Sequence, residues 1–288
     1  MCSNCRRTFV RTNTFNQHLR RRVWFELWIG EGYSVRQLAR QSGYSRRTLH
    51  RIIDYWLQQA PPLLADLSKH QHLLFDGTFI NKRKGVFVVM DAAPYSVVHA
   101  APEMAEGPAH LTPFCTLLAQ RGLAPLSATV DGNPHLIRIL RRLWPTLLIQ
   151  RCLVHIQRQG LCWCRRYPKR TDARHLRALF LQVMAITTVS ERDQFLAQLQ
   201  KWEHRYGYRL AGLPERGRVF SDLKRARSML LAALPDMFHY LENPAIPKTT
   251  NAIEGYFARL KHRYRQHRGL IRAHRNAYFR WYVYLCPR

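Results

Sequence analysis

HLLFDGTFI (residues 72–80), GVFVVMDAA (85–93) and YSVVHAA (95–101) follow one another with only short breaks. All three are rich in apolar, β-branched and aromatic residues. The breaks carry Asn81 and Pro94, so the three segments read as adjacent strands of an antiparallel meander, the first bending at Gly77. A helix near Leu111–Arg121, a short strand Ser127–Val130, a helix near Leu136–Leu143 and a strand Thr146–Gln150 come next. A meander followed by strand–helix–strand units predicts a mixed α/β sheet. Outward from it, residues 172–242 read as mostly helical, with Leu176, Leu179, Phe180, Val183 and Met184 at helical spacing. Residues 33–58 read as two short helices closed by Pro61 and Pro62, and 249–288 as helical and very basic.

The chain has 288 residues, with 46 Lys or Arg against 18 Asp or Glu and a net charge of +28. That much like charge calls for a polyanionic partner, nucleic acid first and an anionic membrane surface second. A hydrophobic fraction of 47% excludes wholesale disorder. No apolar run is long enough to span a membrane, and no secretory leader is expected from the polar, basic N-terminus. Seven irregularly spaced cysteines suit a reducing compartment rather than a disulfide framework, which predicts a cytoplasmic protein.

Val35–Asp54 fits a helix-turn-helix. Leu38, Ala39, Tyr44, Leu49 and Ile52 supply the apolar contacts, Gly43 the tight turn and Ser45 a cap for the second helix. Arg46, Arg47 and Arg51 then lie on the exposed side, ready for phosphates or base edges; the plainer alternative is a helical hairpin with a solvated basic face. Before it, Cys2-x-x-Cys5 is half of a tetrahedral zinc site, with His18 a candidate third ligand. Arg22 stands where a two-Cys, two-His finger needs its last His. A zinc ribbon whose other cysteine pair lies upstream is the alternative, so Zn²⁺ is expected only with an incomplete ligand set.

With acids so scarce, three of them stand out. Asp76 lies inside the apolar strand LLFDGTF, where a charge is costly unless it is paired, hydrogen-bonded or metal-bound. Asp131 directly follows an apolar strand, at the kind of strand end where ligands gather in α/β sheets. Glu254 falls early in a basic helix, at the margin of the apolar stripe Ile253, Phe257, Leu260 and Tyr264. Each has a local alternative: a turn at Gly77, an Asp131-Gly132-Asn133 turn, and an Asn251-x-x-Glu254 capping box. Together, three carboxylates suit two hard divalent cations, Mg²⁺ or Mn²⁺, clamping a phosphodiester, with Asp76 on the central strand as shared ligand.

DGTF at Asp76, VDGN at Asp131, QRCLVHIQRQ around Cys152 and His155, and TTNAIEGYFARLK around Glu254 occur in that order, with intervals of 55 residues between the aspartates and 123 to the glutamate. The set resembles the Mutator-like group of DDE transposases, including its bacterial insertion-sequence members, over about residues 70–268. The strand layout is that of an RNase H-like sheet, and the long second interval is similar to that group's helical insertion before the catalytic Glu. The resemblance implies the following layout: a basic segment with a partial zinc module over 1–32, a helix-turn-helix domain over 33–60, the first part of an RNase H-like core over 70–165, a helical insertion over 166–246, and the last part of the core with the Glu helix and basic C-terminus over 247–288.

It also implies that Asp76, Asp131 and Glu254 are the metal ligands for two Mg²⁺ or Mn²⁺ ions. His155 is implied as a catalytic residue that positions the DNA or its scissile phosphate, though as a sequence pair Cys152 and His155 read equally as a buried helix start. Thr250 and Asn251 lead into the Glu helix and touch DNA or support Glu254. The activity implied is metal-dependent cleavage at transposon ends and strand transfer by a 3′-OH into target DNA, by a dimer or larger synaptic complex at the bacterial nucleoid. A chain that starts inside half a metal module is also expected for a shortened copy, so a binding-only relic and an RNase H-like nuclease are the alternatives. After Glu254 come nine Lys or Arg and no acid; Arg259, Lys261, Arg263 and Arg265 among them are expected on DNA. The aromatic run at Tyr278, Phe279, Trp281, Tyr282 and Tyr284 reads as core, as does Trp202, with base stacking the lesser alternative. Cys162 and Cys164 read as structural.

Overall fold

Strand pairing follows from where the apolar residues fall. The computed structural model describes residues 14–62, 66–80, 85–212, 218–267 and 269–288, so Cys2 and Cys5 lie outside the described residues. The elements begin with α1 (Thr14–Gly30), α2 (Val35–Ser42) and α3 (Arg46–Gln58). The strands β1 (His72–Phe79), β2 (Gly85–Asp91) and β3 (Val97–Met104) precede α4 (Pro108–Gln120), β4 (Ser127–Val130), α5 (Pro134–Leu143) and β5 (Leu148–Arg151). The helices α6 (Leu153–Cys164), α7 (Thr171–Gln182), α8 (Val189–Trp202), α9 (Tyr208–Gly212), α10 (Arg218–Ala233) and α11 (His239–Glu242) lead to α12 (Asn251–Arg265) and α13 (Arg272–Leu285). Two compact units result: residues 64–255, and residues 1–63 together with 256–288. The division falls inside α12, whereas the sequence reading keeps 247–288 together.

The larger unit holds one five-stranded mixed sheet in the order β3-β2-β1-β4-β5. β1 pairs antiparallel with β2 and β2 with β3, while β1/β4 and β4/β5 are parallel. This is the expected meander followed by strand–helix–strand units. β3 starts at Val97 rather than Tyr95, because Tyr95 turns the chain in the left-handed region at φ 59°. Leu73, Phe75, Val89, Ala128 and Val130 bury one sheet face against Leu111, Phe114 and Leu118 of α4 and Leu136, Ile139 and Leu140 of α5. Each of these Leu, Ile, Val and Phe side chains contributes about 1.5–3 kcal/mol. α5 starts where it does because the Asn133 side chain accepts the backbone N–H groups of His135 and Leu136, with Pro134 in the first turn.

A second apolar cluster joins Leu153 and Ile156 of α6 to Leu176, Leu179 and Phe180 of α7, Phe195, Leu199 and Trp202 of α8, and Leu223 and Leu230 of α10. Trp202 is only 4% exposed, and its indole N–H donates to the Asp172 carbonyl at 2.9 Å. It is core rather than a free stacking platform. Cys164 is buried in the same cluster, and Cys162 is exposed.

In the helical unit, α2 opens with a capping box between Ser34 and Gln37 and closes at Gly43, whose φ of 70° suits glycine. Ser45 caps α3 by accepting the Thr48 N–H at 3.2 Å. Leu38, Leu49 and Ile52 are buried, and Arg46, Arg47 and Arg51 are exposed. α1 occupies a stretch whose arginines hide its apolar spacing; Phe25, Trp28 and Ile29 are its buried face. His18 of α1 stacks on Tyr55 with centroids 3.5 Å apart. The C-terminal aromatics close this core. Trp281 meets Phe25 and Trp56 edge-on at 5.3 and 5.8 Å, and its indole N–H reaches the Trp56 carbonyl at 2.9 Å. Among the described residues no helix is long and apolar enough to cross a membrane.

Candidate active site

The parallel pairing of β1 with β4 ends at Phe75↔Val130. Asp76 and Asp131 are therefore the next residues on two neighbouring strands. Phe75 and Val130 both enter the apolar core, so strand alternation turns the two aspartates toward the other face. β5 ends in the same row: Arg151 pairs with Val130, and the Cys152 N–H donates to the Val130 carbonyl at 2.8 Å. α6 starts at once from Cys152 and places His155 and Arg158 three residues apart, on one face.

Asp76 is 8% exposed. Its Oδ1 accepts the Gly77 N–H at 2.8 Å, the local bond foreseen from sequence, though within a continuous strand and not at a turn. Gly77 also leaves room for Phe87 on β2, which a Cβ would meet at 3.0 Å. Burial raises the Asp76 carboxyl to about 6; the charge of His155 pulls it down and that of Asp131 pushes it up. Asp131 Oδ1 accepts the Asn133 N–H at 2.9 Å, so the expected turn is present, and Asn133 in turn donates from Nδ2 to the Glu106 carbonyl at 3.0 Å. The Glu106 carboxyl is raised by burial and by the Asp131 charge.

His155 Nδ1 lies 3.2 Å from Cys152 Sγ. The same sulfur lies 3.3 Å from the Thr250 backbone N–H and 3.4 Å from the Thr250 hydroxyl, and the proximity of that hydroxyl helps to lower the Asp76 carboxyl against its burial. Hydrogen bonding to Cys152 raises His155 to about 9, against the opposing effect of burial. Burial pushes the Cys152 thiol up, but the hydrogen bonds from His155 and Thr250 outweigh it and leave the thiol below its usual range. Glu254 begins the exposed margin of α12. Its Oε1 lies 3.4 Å from Arg158 and 3.7 Å from His155 Nε2. The apolar stripe beneath it is Ile253, Tyr256, Phe257 and Leu260, with Tyr264 only half-buried.

The structure thus gathers Asp76, Asp131, His155 and Glu254 around one end of the central strands β1 and β4. Arg46, Arg47 and Arg51 belong to the other unit, as do Arg259, Lys261, Arg263 and Arg265. Arg263 is tied to Glu31 at 3.1 Å, and Arg259 stands over the Tyr256 ring at 5.9 Å. Asn251 is exposed at the start of α12. The sequence reading missed Arg151, Arg158 and the sulfur-centred network; only the spacing of His155 and Arg158 could have signalled the second of these.

Among the described residues no three His, Cys, Asp or Glu side chains converge closely enough to hold an ion. The donor chemistry of Asp76 and Asp131 nevertheless fits a hard divalent cation. They are neighbouring carboxylates, one of them raised by burial and, to a lesser degree, by the charge of the other, and a cation relieves both penalties. Glu254 is engaged by two cationic side chains instead.

The sequence profile of the family described as Transposase, Mutator family, matches residues 97–271. The matched stretch is more than half of the chain and includes Asp131, His155 and Glu254, but starts after Asp76. No curated protein matches the chain.

Proposed function

The chain belongs to the Mutator family of transposases, and from that premise we propose that residues 64–255 carry an RNase H-like DDE catalytic site. Asp76, Asp131 and Glu254 are its metal-ligand carboxylates, and α7–α11 form the helical insertion before the Glu helix. The observation that supports this most is the register that makes Asp76 and Asp131 neighbours at the end of two parallel strands, with His155 and Glu254 beside them. Bound Mg²⁺ or Mn²⁺ would supply Lewis-acid stabilisation to both oxygens of an in-line displacement.

The chain's own residues do the rest. Asp76 and Asp131 would hold the cation, and Thr250, bonded to Cys152, stands beside Asp76. His155, held cationic by Cys152, offsets charge at the phosphate. A water oxygen bonds to phosphorus as the 3′-oxygen leaves and takes a proton, which frees a 3′-OH at the transposon end. That 3′-OH then attacks a target phosphodiester and displaces its 3′-oxygen, exchanging one ester for another without ATP. In the helical unit, α2 and α3 act as a helix-turn-helix with Arg46, Arg47 and Arg51 toward DNA, and Arg259, Lys261 and Arg265 of α12 are further DNA contacts of that unit; Asn251, in the larger unit, contacts DNA there. Transposon ends and target are the DNA partners. A dimer or larger complex brings two ends together at the nucleoid, and Cys2 and Cys5 are the proposed part of a zinc site.

The test is cleavage and joining of supercoiled plasmid with Mg²⁺ or Mn²⁺, comparing the wild type with Asp76→Ala. Products that need metal and vanish in the variant support the reading. DNA binding without any metal-dependent product would replace it with that of a binding protein.

A further inference from the structure

Arg151 has no part in the proposed reaction, and unlike its neighbour Gln150, whose Nε2 bonds the Arg151 and Met237 carbonyls, its Nε is left without a partner. It ends β5 in register with Val130, one position before Cys152. The side chain is only 9% exposed, and its Nε is fully buried with no hydrogen-bond partner. The guanidinium packs against Gly132: a Cβ there would come within 1.9 Å of one terminal nitrogen and 2.5 Å of Cζ. Gly132 is thus demanded twice, by its φ of 111° and by the space Arg151 fills. The acidic groups whose charges favour Arg151 are Asp131 and Asp236. Both have other bonds, Asp131 to the Asn133 N–H at 2.9 Å and Asp236 to Arg141 at 2.7 Å. Arg141 also faces Arg151 as a like charge.

A buried guanidinium costs several kcal/mol unless an anion compensates it. A planar fork of donors matches the oxygens of a phosphate. Arg151 sits at the C-terminal end of parallel strands, where ligands gather in such sheets. We propose that Arg151 is a phosphodiester-binding residue of the site, its guanidinium packed against Gly132 to meet a DNA phosphate beside Asp131. The proposal rests on the active-site reading given above.

The test measures the affinity of the full chain for a nicked DNA duplex across a series of KCl concentrations. Ca²⁺ is present so that the carboxylates are occupied without turnover. Removing one phosphate contact lowers the slope of log affinity against log salt by about 0.9. Arg151→Gln is expected to show that loss. Arg151→Lys keeps the slope but binds several-fold more weakly, because an ammonium keeps the charge without the fork. An unchanged slope in an Arg151→Gln chain that melts like the wild type would overturn the proposal. If Arg151→Gln fails to fold, Arg151→Lys decides, and wild-type affinity there overturns the proposal equally. The active-site reading fails separately: metal-dependent nicking that survives Asp76→Ala removes that reading whatever the slopes show.

Discussion

The two sides of the proposed site are built differently. On the sheet side, Asp76 and Asp131 are placed by backbone pairing: the ladder that sets Phe75 beside Val130 leaves the next residues no choice of neighbour. On the helix side, Glu254 is placed by side chains, 3.4 Å from Arg158 and 3.7 Å from His155. Between them runs a buried bridge of Cys152 and Thr250, residues 98 positions apart. A ladder is rigid and does not answer to ligands, whereas an ion pair at a half-exposed carboxylate yields to a competing cation. The contrast predicts that changes on the sheet side cost chemistry outright and that changes on the helix side tune it.

The largest effect belongs to the ladder. Asp131→Asn keeps the bond to the Asn133 N–H but removes a charge, and metal-dependent nicking should fall by about a thousandfold or more. A drop below tenfold would mean that the strand pair does not carry the reaction.

Stability should move the opposite way at the neighbouring position. The Asp76 carboxyl is raised from 3.8 to about 6 in the folded protein. The folded state therefore holds that proton more tightly than the unfolded chain does. This contribution is fully present below pH 3.8 and is lost as pH rises through about 6. At pH 8 without metal, Asp76→Asn should stabilise the protein by roughly 2–3 kcal/mol, with no gain near pH 4. Chemical denaturation at the two pH values gives the answer; equal effects at both would mean that Asp76 is not held in a buried, charge-crowded place.

The bridge comes third. Cys152→Ala removes the acceptor shared by His155 and Thr250, and loss of such supporting contacts costs about 10–100-fold in metal affinity or activity. Cys152→Ser should recover part of it. A wild-type metal titration in Cys152→Ala would show that the sulfur only fills space.

How much of this was legible from sequence depends on the range of the interaction. Alternation of apolar residues fixes the order of the meander, and scarcity of acids singles out Asp76, Asp131 and Glu254. Local chemistry also marks the Ser45 cap and the Asp131–Asn133 turn, whose partners lie two or three residues away. α1 was hidden because the arginine cluster at Arg20, Arg21 and Arg22 makes the stretch read as basic and polar, although Phe25, Trp28 and Ile29 follow at helical spacing. The Thr250–Cys152 bridge and the seat of Arg151 on Gly132 were not legible, because nothing local to either residue encodes a partner on another element.

The smallest effect tests the helix side directly. Arg158 is well exposed, and a solvent-exposed pair of this kind is worth about 0–1 kcal/mol. Arg158→Gln should therefore leave folding unchanged. By withdrawing one of the two cations that compete for Glu254, it should lower the Mn²⁺ concentration needed for half-maximal nicking by up to about fivefold. His155 remains beside Glu254, so the shift stays modest. Arg158→Glu, which puts a like charge in the same place, should attract the cation further and lower the requirement again. A requirement that rises in both variants would mean that Arg158 serves the substrate rather than restrains the carboxylate. The helix side would then take part in the chemistry as directly as the ladder does.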